Sequence, residues 1–160
     1  MGAQRKSDLN VAAEGEAMLS VYDVDLHAWA NEQAALLRAG RFAAADMDNI
    51  AEEIEALART EKRELISRLA VVLLHLLKWR FQPKKRSRSW IFSIKEHRTA
   101  LAFHLRDNPS LKSSLTEAVA DAYSMALIKA QRETRLSEKA FPPLCPFTFQ
   151  QIMDDGFWPQ

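Results

Sequence analysis

Reactive and charged side chains of this sequence concentrate in one stretch. From Lys78 to Arg98 eight side chains are basic (Lys78, Arg80, Lys84, Lys85, Arg86, Arg88, Lys95 and Arg98) and one, Glu96, is acidic. Trp79 and Trp90 interleave with them, and His75 stands just upstream. Cations alternating with aromatic rings can neutralise phosphates and stack on bases. The candidate binding residues are therefore His75, Lys78, Trp79, Lys84, Lys85, Arg86, Arg88 and Trp90. A plain helix–loop–helix corner would carry the same residues if its tryptophans were core and its cations balanced a helix C-terminus.

Other chemistry is sparse. His97 and His104 share a helix face but lie about two turns, roughly 10 Å, apart, too far to ligate one ion together. No Asp or Glu stands three residues before His27, His75, His97 or His104, so the Glu-x-x-His signature of metal-binding bundles is missing. No metal is expected. Were one held, His75 and Glu53 would be its ligands; otherwise His75, set among leucines, is a core histidine bonded to a neighbouring helix. Cys145 lies between Leu144 and Pro146 without a nearby cation, which suits an apolar filler better than a thiolate. The glycines, at positions 2, 15, 40 and 156, are too scattered for a phosphate-cradling loop or a dinucleotide fingerprint. No G-x-S-x-G, C-x-x-C or H-E-x-x-H pattern occurs, and neither a catalytic residue nor a cofactor is expected.

With 160 residues, 48% hydrophobic and 27% charged, the chain can bury a core without metal or disulfide support. A net charge of +1 gives the whole molecule no bias toward nucleic acid or membrane, so any such bias is local. One cysteine and no apolar signal segment point to the cytoplasm. Residues 1–18 are small, polar and aperiodic and read as a mobile leader, leaving 19–160 as a single helical domain.

The elements that must position the basic stretch are helices. Met47, Ile50, Ile54, Leu57, Leu65, Leu69, Val72, Leu76 and Trp79 recur every three or four residues from 46 to 81, apart from one two-turn step between Leu57 and Leu65, with no proline or glycine between. They make one stripe of an axial helix roughly 50 Å long. Residues 59–64 are all polar and mark a kink or an exit from the core, while 69–77 is almost wholly apolar and must be covered on most sides. Upstream, a helix from Tyr22 to Gly40 is capped by Ser20 or Asp23 and turns Leu26, Trp29, Ala30, Gln33 and Leu37 inward. Asp46 or Asp48 caps the axial helix, and Pro83 stops it. A third helix, capped by Ser89, runs from Trp90 to about Asp107 with Trp90, Ile94, His97, Leu101 and His104 in line and Ile91, Ala102 and Leu105 beside them. Asn108-Pro109 opens a fourth, to about Leu136, with Leu111, Leu115, Ala118, Ala122, Met125 and Ala126 inward. The proline-rich 141–146 crosses the bundle, burying Phe141 and Leu144. Thr148 opens a short last helix with a capping box to Gln151 and a staple of Phe147 on Ile152. The class is all-α: a bundle of about four main helices around one long central helix, plus a short C-terminal helix.

Several of these segments together resemble a bacterial family of unknown function, numbered twenty-nine among the catalogued domains. The resemblance rests on Tyr22-Asp23 to Trp29, Leu36-Leu37-Arg38-Ala39-Gly40, Ile50-Ala51-Glu52-Glu53-Ile54, His75-Leu76-Leu77-Lys78-Trp79, Gln82-Pro83 and Arg88-Ser89 with Trp90 and Ile91. Asn108-Pro109-Ser110-Leu111 and Cys145-Pro146-Phe147-Thr148 extend it over about residues 20–160. It implies an all-helical domain and carries over no catalytic residue.

The sequence thus points to a non-enzymatic binding module whose basic, Trp-containing corner receives a protein partner, with a nucleic acid or an anion as other occupants of the loop. A membrane is not expected, and a homodimer is compatible with the aromatic content. The alternative is a metal-dependent or small-molecule enzyme with its pocket between the axial and third helices.

Overall fold

The computed structural model describes residues 19–160, so the leader expected over 1–18 lies outside the described residues. Helices in order are α1 (Val21–Val24), α2 (Leu26–Arg38), α3 (Met47–Phe81), α4 (Arg88–Asp107), α5 (Leu115–Thr134) and α6 (Phe149–Met153). Short 3-10 turns occupy Phe42–Ala44, Pro83–Lys85, Pro109–Ser114 and Glu138–Ala140. No strand occurs among the described residues, and the fold is all-α. The chain divides into two compact units, one ending at Ile54 and one spanning Glu55–Gln160.

The first unit is a helical hairpin tied by polar contacts. Its first helix is broken, contrary to the single helix expected from Tyr22. Ser20 and Asp23 form a capping box on α1, and Asp25 Oδ1 accepts the Ala28 N–H at 2.9 Å, starting a separate helix α2. Asp25 outcompetes the helix for its own backbone, as short acidic side chains do at N-caps. Gly40, at φ 70°, ends α2: its N–H reaches Leu37 O at 3.1 Å and the Arg41 N–H reaches Leu36 O at 2.9 Å, a complete Schellman motif. Asp46 caps α3, accepting from the Asn49 N–H at 3.3 Å and from Trp29 Nε1 at 3.2 Å, while its own N–H donates to Gln33 Oε1 at 2.8 Å. Among the described residues only Trp29 and Gln33 are buried in this unit, and Leu26 and Ala30, expected inward, are exposed.

In the second unit α3 is the buried element. Leu65, Leu69, Val72, Leu73, Leu76 and Leu77 have no exposed surface. The earlier part of the stripe behaves differently: Met47 and Ile54 are exposed, and so is Leu57, at 68%. Helical spacing made them look like core, but among the described residues no element covers them. Residues 59–64 do not break the helix, whose hydrogen bonding runs unbroken from Met47 to Phe81.

Charge pairs set the helix order around α3. Lys62 Nζ meets Glu117 Oε2 at 2.9 Å and Lys78 Nζ meets Glu133 Oε2 at 2.6 Å. Both pairs have the same sequence offset, so α3 and α5 run parallel in fixed register. Ala118, Ala122, Ala126 and Ala130, all fully buried at four-residue spacing, give α5 a flat face for this close approach. Met125 lies off that face and is exposed. Helix α4 runs antiparallel to α3, since its last turn holds Glu61 through the His104 Nε2–H to Glu61 O bond at 2.9 Å and its first turn meets Lys78.

Other boundaries shift for local reasons. Ser87, not Ser89, caps α4, accepting from the Trp90 N–H at 3.4 Å. Residues from Pro109 form a 3-10 turn before α5 begins at Leu115, and Asn108 donates to His104 O and Glu61 Oε2 instead of capping. Helix α5 stops at Thr134 because Arg135 turns left-handed, at φ 61°. Leu144, expected in the core, is 79% exposed, whereas Phe141 is buried against Phe81. The capping box of Thr148 and Gln151 is present, with Phe147 and Ile152 buried beside it.

Candidate functional site

The basic corner is built by the end of α3, the 3-10 turn Pro83–Lys85 and the first turns of α4. Pro83 cannot donate to the helix and pushes Gln82 out of it (φ −130°), which folds the next three residues into that turn. Lys84 and Lys85 are carried on it, exposed, and Arg86 and Arg88 follow, also exposed. Residues 65–95 contain no Asp or Glu, and among the described residues Lys84, Lys85, Arg86 and Arg88 meet no carboxylate. Arg88, in the first turn of α4, faces the positive end of that helix dipole, which costs stability and raises the local positive potential. Across Glu55–Gln160, eighteen Lys and Arg stand against eleven Asp and Glu, while residues 19–54 carry two against seven. The net charge near zero hides two units of opposite sign.

The other four candidates are committed to internal contacts. His75 is half-buried and its Nδ1–H donates to Val71 O, one turn back on its own helix, at 2.8 Å; the partner is not a neighbouring helix. Burial pushes its pKa down, Lys78 and His97 add to that, and the Val71 bond and Glu133 oppose it. Lys78, at 12% side-chain exposure, is paired with Glu133 and lies over the Trp90 ring at 4.6 Å. Through its bond to Lys78 the Glu133 carboxyl is held below its usual range. Trp79 is half-buried, 4.6 Å from Trp158 on one side and 4.9 Å from the Arg86 guanidinium on another. Arg86 Nε also donates to Trp79 O at 3.0 Å, so this cation is held in place although it is exposed.

A chain of contacts results: Arg86 lies over Trp79, Trp79 meets Trp158 with the rings tilted by 46°, and Trp158 lies under Arg98 at 5.8 Å. Arg98 is the residue that periodicity missed. Ile94, Arg98, Leu101 and Leu105 form the buried line of α4, not the line through His97 and His104. Arg98 is only 3% exposed and meets no carboxylate among the described residues. Its Nε donates to Ile152 O at 2.7 Å and its Nη2 to Phe157 O at 3.3 Å and Gln151 O at 3.4 Å. A buried guanidinium bonded to three carbonyls pins α6 and the segment after it onto α4. Its Nη1 has no hydrogen-bond partner among the described residues. Burial depresses its pKa, against the pull of Asp155 and Asp154.

Phe92 is the second residue absent from the sequence-based set. It is 58% exposed, with the Arg88 guanidinium 5.7 Å from its ring, so it is the aromatic of this corner that faces solvent. The i,i+4 spacing of Arg88 and Phe92 was the available signal.

Concave surface lies along α5 and the segment that crosses it. One cavity of about 320 Å³ is lined by Tyr123, Leu144 and Cys145 among others, and another of about 520 Å³ by Leu127, Phe141 and Pro142. Tyr123 donates to Pro142 O at 2.6 Å, and burial pushes its hydroxyl up to about 12. Burial also raises the Cys145 thiol, whose S–H donates to Phe147 O at 3.4 Å. Both groups are neutral near pH 7 and serve as donors, not as base or thiolate. Among the described residues no three His, Cys, Asp or Glu side chains are placed to hold a metal ion. No described helix is long and apolar enough to cross a membrane.

Residues 21–158 match the family model described as "Domain of unknown function DUF29". No curated protein and no solved structure matches the chain.

Proposed function

We propose a binding role for this chain, which belongs to the DUF29 family of domains of unknown function: an interaction module that captures an acidic partner at the corner formed by Lys84, Lys85, Arg86 and Arg88. One observation carries the reading. Four exposed cations stand within five residues, inside a stretch of thirty-one that has no acid, and none meets a carboxylate among the described residues. Elsewhere in the same unit cations such as Lys62, Arg68 and Lys78 are paired. Self-repulsion of this kind is relieved by an external anion. His75, Lys78, Trp79 and Trp90 act as the frame that fixes the corner.

The corner is tested by reversing Lys84 and Lys85 to Glu, since neither makes an internal contact that folding needs. Wild type and variant are used as bait in extracts and washed at rising salt. The variant is expected to lose the salt-sensitive fraction that wild type retains. Equal recovery of every bound species by both proteins would sink the proposal.

A further inference from the structure

Resting on the basic-corner reading, we infer that its partner is a single-stranded nucleic acid, which lies along the outer face of α4 with phosphates on the cations and bases stacked on Phe92 and Phe103. At 100° per residue, Arg88, Phe92, Lys95, Thr99, Phe103 and Arg106 fall within about 80° of the helix circumference. All six are exposed. Phe103 repeats the arrangement at Phe92: it is 53% exposed, with the Arg106 guanidinium 5.0 Å from its ring. The stripe extends roughly 27 Å from Arg88 to Arg106 and continues into Lys84, Lys85 and Arg86. Two acids border it. Asp107 takes a bond from Arg106 at 2.9 Å, both side chains being mostly exposed, and Glu96 lies beside Lys95.

Exposed rings with a cation at each are stacking points on an electropositive track, the pattern by which proteins hold single strands without reading sequence. A protein partner would need one continuous apolar core to desolvate. Here the two rings are about 16 Å apart along the helix, with Lys95 and Thr99 between them. A duplex keeps its bases stacked on one another and offers no free base face to either ring.

Fluorescence anisotropy with a labelled oligothymidylate, a duplex of equal length and polyglutamate, each across a salt series, separates the outcomes. The wild-type protein should bind the single strand more tightly than the duplex, with affinity falling as salt rises. Phe92→Leu combined with Phe103→Leu, both at exposed positions, should weaken single-strand binding roughly tenfold or more at fixed salt and leave the salt slope unchanged. Lys84→Glu with Lys85→Glu should lower both affinity and slope. If the leucine variant binds as wild type does, or the duplex binds equally well, the stacking inference is overturned, while a loss on charge reversal keeps the corner. Salt-sensitive capture of polyglutamate without oligonucleotide binding overturns the inference and leaves an acidic protein as partner. Binding of neither polyanion overturns both.

Discussion

His75 carries a pH signature that follows from its position. Its folded pKa lies below the ordinary value of about 6.5, chiefly because burial penalises the imidazolium. Below that value the unfolded chain takes up the proton more readily than the folded one. Its contribution to stability is therefore fully present above about pH 6.5 and is lost as pH falls through the folded value. Replacing His75 with Gln, whose amide can still donate to Val71 O, should flatten the fall in melting temperature between about pH 7 and 5 relative to wild type. An NMR titration of His75 giving a value at or above the ordinary one would contradict this. The sequence offered His75 both as a binding candidate and as a core histidine bonded to a neighbouring helix; the side chain is half-buried and its bond goes to its own helix. The backbone bond to Val71 depends on a rotamer, which composition does not fix.

At the scale of the element, α3 is one helix with two kinds of surface. Leu73 is wholly buried, whereas Leu57, four turns earlier, is 68% exposed. Leu73→Ala should cost about 2–5 kcal/mol by the transfer and cavity contributions together, while Leu57→Ala should change stability by less than about 0.5 kcal/mol. Urea unfolding of the two variants checks both values, and equal costs would show that the Leu57 face is covered in solution. The stripe from Met47 to Trp79 was legible because hydrophobic period survives in any sequence. Which part of it meets a neighbour was not, since burial depends on where α4 and α5 end and on the face that α5 offers. The same limit applies at Leu144, where an apolar residue in a proline-rich crossing segment turned outward.

On the scale of the molecule, core and charge are distributed unevenly. The buried cluster lies between Leu65 and Ile152, wholly within the second unit, while the first unit buries Trp29 and Gln33. A fragment of residues 55–160 is expected to melt cooperatively by circular dichroism, and one of residues 19–54 to show no transition, because a single buried apolar side chain cannot offset the entropy of ordering thirty-six residues. Failure of the longer fragment to fold would mean that 19–160 is one indivisible domain. The opposite charges of the two units also predict a longer fragment far more basic than the whole chain, measurable by its retention on a cation exchanger.

From the sequence alone came the helical class, the dry half of α3, the cap at Thr148, the stop at Pro83 and the place of the basic loop. Each is written in spacing or in the local chemistry of a few consecutive residues. Long-range packing settled that Trp79 and Trp90 are half-buried while Phe92 is exposed, that Arg98 is buried with carbonyls as partners, and that Met47, Ile54 and Leu57 stay exposed. Those outcomes depend on residues fifty or more positions apart arriving at one place, and a helical period says which side chains share a face without saying what will face them.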